Sequence, residues 1–175
     1  MLSRVLSSAV IGIDAYIVEV EVDISHGLPS FSTVGLPEGA VRESKERVKA
    51  SIKNSGYRFP PDRITVNLAP ADIKKEGTAF DLPIALGILA ATGLVPVESC
   101  GDYLILGELS LDGLIRPIKG ALPMAITAKE MGLKGMFLPV KNAPEAAVVE
   151  GIDIYPVKTL SQLVESLLGL TEAHP

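Results

Sequence analysis

The stretch from Lys74 to Gly93, KKEGTAFDLPIALGILAATG, decides the fold. It opens with two lysines, a glutamate and a glycine, and it is apolar and uncharged from Leu82 onward. Asp81 is a residue type that caps helix N termini, and Pro83 suits the first helical turn, where a missing N–H costs nothing. Gly93 favours the left-handed conformation in which helices end. Because the predicted helix has no polar face, it must be covered on all sides and form the buried axis of the domain.

A membrane span is the alternative interpretation of this apolar run. Spanning helices need about 20 apolar residues, and this run is shorter and is interrupted by glycines and prolines. The first residues, MLSRVLSSAVIGID, resemble a signal peptide only superficially, because serines dilute the apolar run and Asp14 ends it. The solitary Cys100 cannot form an internal disulfide, which favours a reducing compartment. We therefore expect a cytoplasmic protein with no membrane partner.

The length and composition indicate one domain. A chain of 175 residues with 47% hydrophobic residues can bury an adequate core without disulfides. We place the domain at residues 1–168 and expect the polar residues 169–175 to be a frayed tail or a linker.

Periodicity predicts the elements in the order β-β-β-α-β-α-β-β-α-β-α-β-α. Residues 14–24 alternate between apolar and acidic side chains, which is typical of a strand with one wet face. Asp112-Gly113 is a hairpin signal between predicted strands at 103–110 and 114–118. Crossover helices mixed with antiparallel hairpins predict an α+β fold, with helices packed on one face of a mixed sheet.

Several chemistries have no support in the sequence. The phosphate-binding pattern G-x-x-x-x-G-K-[S/T] is missing, so this segment alone should not be an ATPase. His26, His174 and Cys100 do not have the spacing of a zinc site, and we expect no metal. Thr78 next to Lys74 and Lys75 offers a nucleophile and a base, but a turn threonine beside solvated lysines is the simpler interpretation.

Five stretches together resemble a known family. They are SRVLSSAVIGIDA, STVGLPEGAVRESKERV, TVNLAPADIKKEG, FDLPIALGILAATG and GELSLDGLIRPIKGALPMA. The chain resembles the N-terminal Lon-protease-like (ChlI-type) domain of the ComM/YifB proteins, which are Mg-chelatase-like AAA+ ATPases, over residues 1–168. The resemblance implies a ribosomal protein S5 domain 2-like fold, which agrees with the order of elements.

The resemblance also bears on proteolysis. In Lon-like proteases the catalytic serine follows K-D-G-P, and here the corresponding run, residues 75–78, precedes Ala79. The catalytic lysine follows P-I-G-G-L, and here residues 117–121 precede Leu122. A methyl group cannot attack a carbonyl and leucine cannot act as a base, so the resemblance implies no catalytic residue and no peptidase activity. Lys119 lies three positions away and is not expected to substitute for the missing lysine.

In proteins of this family an AAA+ motor that binds ATP and Mg follows the domain, and residues 169–175 would lead toward it. The resemblance implies a hexameric DNA motor for branch migration in recombination and natural transformation. This segment would be a ring scaffold and DNA-contacting surface without a cofactor of its own. Two alternatives stay open: a divergent Ser/Thr–Lys peptidase that uses Thr78, and a chelatase-type assembly module with no DNA role.

Charge indicates where DNA would bind. The net charge of −5 argues against a dedicated nucleic-acid binder, but residues 42–63 hold seven basic and three acidic side chains. That segment carries +4 and leaves −9 for the rest. The candidate phosphate contacts are Arg42, Lys45, Lys49, Lys53, Arg58, Arg63, Lys74, Lys75 and Lys119.

The alternative for each of these residues is an ordinary solvated surface charge. The sequence shows no aromatic stacking platform, so recognition of bases is not supported. We expect weak, salt-sensitive binding to branched or single-stranded DNA, helped by the repetition of the domain in a ring.

Overall fold

The computed structural model describes residues 1–169, so the predicted tail lies outside the described residues except for Gly169, which ends the last helix. The strands of this part are β1 (Leu2–Ile11), β2 (Asp14–Ser25), β3 (Ser30–Val34), β4 (Arg63–Ala69), β5 (Tyr103–Ile105), β6 (Glu108–Leu109), β7 (Ile115–Arg116), β8 (Gly135–Pro139) and β9 (Asp153–Val157). The helices are α1 (Gly39–Asn54), α2 (Asp81–Ala91), α3 (Ala121–Glu130), α4 (Ala143–Ala146) and α5 (Leu160–Leu168).

Seven strands form one mixed sheet in the order β3-β4-β2-β1-β5-β8-β9, and β6 pairs with β7 as a separate hairpin. Strand β2 is antiparallel to both β1 and β4, whereas the other neighbours in the large sheet are parallel. The mixed sheet of the predicted α+β fold is confirmed.

The alternation of β2 decides which side chains face the core. Val18, Val20 and Val22 are fully buried beneath α2, while Glu19 and Glu21 point from the opposite face of the sheet. A strand places successive side chains on opposite faces, so the valines are separated from the glutamates, whose face also carries Ala15 and Ile17.

Helices cover both faces of the sheet. α1, α2 and α5 pack on the face that carries Val5 and Val20, as predicted. The structure corrects the prediction for α3 and α4, which lie on the other face, where Met124 and Ala146 join a second core with Leu6. Adjacent residues of β1 are both apolar, so each face of that strand needs cover.

Every residue of α2 is buried, as its sequence predicts. The sheet and the helix approach so closely at Gly87 that a Cβ there would lie 2.6 Å from Val22 Cγ2. Gly93 has a φ of +88° just after the helix, which confirms the predicted left-handed end. No helix formed by residues 1–169 is both long and apolar enough to span a membrane.

The predicted strand at 103–110 is two strands in the structure. The chain leaves the large sheet after Ile105 and forms the β6–β7 hairpin from Glu108. At Gly107 an added Cβ would lie 2.8 Å from Ile115 Cγ2, so a side chain at the point where the chain leaves the sheet would force its neighbours to shift. The hairpin turn predicted at Asp112-Gly113 is confirmed, with Gly113 at a φ of +89°.

Candidate functional site: the dyad positions and a basic groove

The glycine loop before α2 lines a cleft of about 570 Å³ between β1 and the segment that leads into α3. Thr78 and Ala79 lie on one side of this cleft, and Lys119 lies on the other. Leu122, at the lysine position of the Lon pattern, is on α3 with 37% of its surface exposed. Ala79 packs instead with the core beneath α3.

Asn142 holds the far side of the cleft in place. It is buried, and its amide group accepts a hydrogen bond from Ile118 N at 2.9 Å and donates one to Ile118 O at 2.8 Å. This pair of bonds fixes the backbone next to Lys119 without a neighbouring strand. The sequence offers no sign of this role, because the two residues are 24 positions apart.

The charges of the cleft cancel. Lys74 and Lys119 line it together with Glu76 and Glu108, so its basic and acidic side chains are equal in number. Tyr16 also lines the cleft and donates a hydrogen bond to Lys74 O at 3.2 Å. Burial, reinforced by Glu76, raises the pKa of the Tyr16 hydroxyl. The cleft therefore offers no concentrated positive charge to a phosphate chain.

Lys75 does not belong with the surface lysines. Its side chain is fully buried, and Nζ donates hydrogen bonds to Gly35 O at 2.8 Å and to Pro70 O. Desolvation lowers the pKa of this ammonium, against the attraction of Asp72. Lys75 ties the glycine loop to the segment before α1. It cannot reach a phosphate in this structure, so we remove it from the DNA-contacting set.

Asp81 lies at the start of α2 but does not cap the helix, which corrects the prediction. Its side chain is 1% exposed and accepts hydrogen bonds from Arg47 Nε at 2.6 Å and Arg47 Nη2 at 3.0 Å. Leu109 N donates a third bond at 3.0 Å. Burial raises the pKa of the Asp81 carboxyl above its usual value. These three hydrogen bonds and the charge of Arg47 lower the pKa and offset part of the effect of burial. The pair joins α1, α2 and the β6–β7 hairpin.

Three lysines of α1 share one groove. Lys45, Lys49 and Lys53 line a depression of about 500 Å³ that Phe31 and Phe59 also line. The two phenyl rings stack with their centroids 6.1 Å apart and their planes inclined by 18°. Lys49 Nζ lies 5.7 Å from the Phe59 ring centroid. We call this depression the basic groove; its other lining residues are Pro29, Ser30, Glu46, Pro60, Pro61 and Asp62.

The remaining basic candidates are dispersed. Arg42 is exposed but directs Nε to Pro37 O at 3.1 Å. Arg58 is exposed beside a different concavity, near Met1 and Leu94. Arg63 is exposed at the start of β4. The structure therefore brings together three of the nine residues selected from the sequence in the basic groove and two, Lys74 and Lys119, in the cleft.

Sequence reasoning missed the aromatic floor of the groove. Phe31 and Phe59 are 28 positions apart, and the parallel pairing of β3 with β4 and the loop before β4 bring them together. The one available signal was that Phe59 lies within the basic segment, residues 42–63, and that Phe31 lies 11 positions before it. The statement that the chain lacks an aromatic platform is therefore corrected.

The uncovered half of the opposite sheet face is acidic. Glu19 and Glu21 stand there with Asp23, and Arg4 contacts both glutamates, at 2.9 and 3.3 Å. The pairing of β2 with β4 also places Arg63 on this face, opposite Ser25, so three carboxylates stand there with two guanidinium groups. Acidic side chains therefore outnumber basic ones by one among these residues.

The structure offers neither a reactive thiol nor a metal cluster. Burial, with a contribution from Glu98, raises the pKa of the Cys100 thiol to about 11, so it stays protonated at neutral pH. Among residues 1–169, no three His, Cys, Asp or Glu side chains are grouped so that they could hold a metal ion.

Comparisons with known proteins agree with the fold. A family model described as subunit ChlI of Mg-chelatase matches residues 20–142. Competence protein ComM of Haemophilus influenzae is 41% identical over 96% of this chain and 33% of its own length. The uncharacterized protein YifB of Escherichia coli is 43% identical over 86% of this chain and 29% of its own length.

A more distant relative is Lon protease 2 of Bacillus subtilis, 27% identical over 81% of this chain and 26% of its own length. This similarity supports a Lon-like domain. The chain spans about a third of the length of these two curated relatives, ComM and YifB.

Proposed function

This chain belongs to the family of subunit ChlI of Mg-chelatase, and from that premise we propose that it is a non-catalytic accessory domain that contacts DNA through the basic groove. The observation that carries the proposal is the convergence of Lys45, Lys49 and Lys53 in one groove of an otherwise acidic domain. Positive charge gathered on one surface attracts the phosphate backbone irrespective of sequence.

The residues at the positions of the catalytic serine and lysine of Lon-like proteases support a role without proteolysis. Ala79 offers no nucleophile and Leu122 offers no base, and a Lon-type dyad requires both. The acidic sheet face supports a single orientation on DNA, with α1 toward the phosphates and β2 away from them.

We extend the proposal to the longer relatives. The whole protein would join this domain to an AAA+ motor that binds ATP and Mg, and it would act in the cytoplasm. Six copies would form a ring that drives branch migration during recombination and competence. Repetition of a weak site around a ring would raise the overall affinity for DNA without further contacts.

Fluorescence anisotropy tests the DNA contact. Labelled single strand, duplex and four-way junction are titrated with the chain at about 50 and 200 mM salt. If three lysines neutralise three phosphates of a single strand, the affinity falls about 20-fold between these salt concentrations. Replacement of Lys45, Lys49 and Lys53 by glutamine should abolish most of the binding and flatten the salt dependence.

A matched variant controls for net charge. Lys129, Lys141 and Lys158 are exposed lysines outside the basic groove, and their replacement by glutamine makes the same change in net charge. This control should bind DNA as the parent does. Equal losses in both variants would contradict a site in the groove. No binding at low salt would leave an assembly module without a DNA role.

A second candidate function is peptidase activity by Thr78. The observation in its favour is that Thr78, Lys74 and Lys119 line one cleft. Replacement of Thr78 by alanine would abolish turnover of an unfolded protein substrate such as casein if the threonine were a nucleophile. We expect no turnover by the parent chain, because a Lon-type base is missing at Leu122.

A further inference from the structure

We propose that the basic groove takes a single strand of DNA, with a base stacked on the Phe31–Phe59 pair and the adjacent phosphates on the lysines of α1. This inference rests on the proposed DNA contact and specifies its form. A duplex keeps its bases stacked inside, so an aromatic floor adds nothing to its binding, whereas an unpaired base can use it.

The aromatic floor has the properties of a stacking platform. Phe31 and Phe59 are half-buried, and both line the groove while packing against the core. Their planes are nearly parallel, which extends the stack that a base would join. Lys49 lies over Phe59 and adds a cation that can follow a base or its phosphate.

The lysines provide a matching row of charge. Lys45, Lys49 and Lys53 recur every fourth residue along one face of α1, so their attachment points are spaced by about 6 Å. This is close to the separation of successive phosphates in an extended single strand. Lysine contacts the backbone and the ring contacts the base, so the groove does not select a sequence.

Two carboxylates, Glu46 and Asp62, also line the groove and set its affinity. Three ammonium groups against two carboxylates leave a net charge of +1, which predicts weak binding by one domain. Glu46 is exposed, and no ion pair of its side chain is found among residues 1–169. Replacement of Glu46 by glutamine should therefore strengthen single-strand binding several-fold.

The chain contains no tryptophan, which provides a direct reporter. In a Phe59→Trp variant the new indole is the only one, and its emission reports on the groove alone. We expect an oligothymidine of about 15 nucleotides to quench this emission with the same midpoint as anisotropy. A duplex of equal length should quench it little. Anisotropy that rises without quenching would overturn the proposal.

Leucine and tyrosine at position 59 separate stacking from packing. Phe59→Leu keeps apolar bulk but loses the aromatic face, and we expect about tenfold weaker single-strand binding with an unchanged salt dependence. Phe59→Tyr keeps the ring and should bind within about twofold of the parent. Thermal unfolding monitored by circular dichroism establishes that each variant is folded.

The outcomes distinguish this inference from the function on which it rests. If Phe59→Leu binds the single strand as the parent does while the triple lysine variant fails, stacking is wrong and the DNA contact stands. If the parent and the Glu46→Gln variant both fail to bind any DNA at low salt, both proposals are wrong.

Discussion

The carboxylate of Asp81 is buried among three segments of the chain, and the guanidinium of Arg47 balances its charge. We expect Arg47→Met to lower the free energy of unfolding by about 3–5 kcal/mol, because it leaves a buried charge without a partner. Urea denaturation at pH 7 measures the loss.

The same variant should gain stability in acid relative to the parent. Without Arg47 the folded-state pKa of Asp81 rises further above its unfolded value, so folding favours the protonated acid. The contribution is fully present below the unfolded pKa and is lost as the pH rises through the folded pKa. The difference between variant and parent should therefore shrink from pH 7 to pH 5. The Arg47→Met, Asp81→Asn double variant should lack this pH dependence, and a loss independent of pH in the single variant would contradict the assignment.

Individual residues were the hardest to predict. Lys45 and Lys75 look alike in the sequence, yet one lines an open groove and the other is fully buried with two carbonyl partners. Asp81 has the residue type of a helix cap, but its partner is 34 positions away. Such roles depend on contacts between distant segments, which local patterns do not encode.

At the scale of secondary-structure elements, Gly87 of α2 lies in close contact with the sheet. Gly87→Ala should reduce the free energy of unfolding by about 1 kcal/mol. The added methyl would meet Val22 Cγ2 at 2.6 Å, and the steric cost of about 1–3 kcal/mol outweighs a gain in helix propensity of about 1 kcal/mol.

A double-mutant cycle measures that contact by chemical denaturation. In a Val22→Ala background the clashing methyl is gone, so Gly87→Ala should cost less than in the parent. Equal costs in the two backgrounds would show that helix and sheet separate freely.

Secondary-structure elements were predictable where the local sequence pattern alone shows how the segment is buried. The run from Leu82 to Ala91 has no polar face and is wholly buried, and β2 alternates in sequence as it does in the sheet. The prediction of one strand at 103–110 was wrong, because the chain leaves the sheet near Gly107. Ile115, from a later segment, packs closely there. The prediction that α3 and α4 pack on the same face as the other helices was wrong. Periodicity shows that a helix is amphipathic, but it does not show which face of the sheet the helix covers.

At the scale of the whole molecule, the groove lysines and the acidic residues of β2 lie on different faces of the sheet. The basic groove lies on α1 at one face of the sheet, and the acidic patch with Glu19 and Glu21 lies on the other. The net charge of −5 averages over these two faces, so under the proposed function the groove side would meet a polyanion more favourably than the opposite side. In an assembly of several copies, this polarity would favour orientations with every groove turned toward the same strand.

The complete burial of α2 has a consequence for isotope exchange. Its amides meet water only when the sheet and the helices around it come apart, so they should exchange by global unfolding alone. Mass spectrometry of a peptide covering residues 82–91 should give the same opening free energy as chemical denaturation. Exchange of this peptide at a lower free energy would indicate local opening and contradict the expectation. Exchange of the amides of this helix can therefore serve as a local measure of the global stability of the domain.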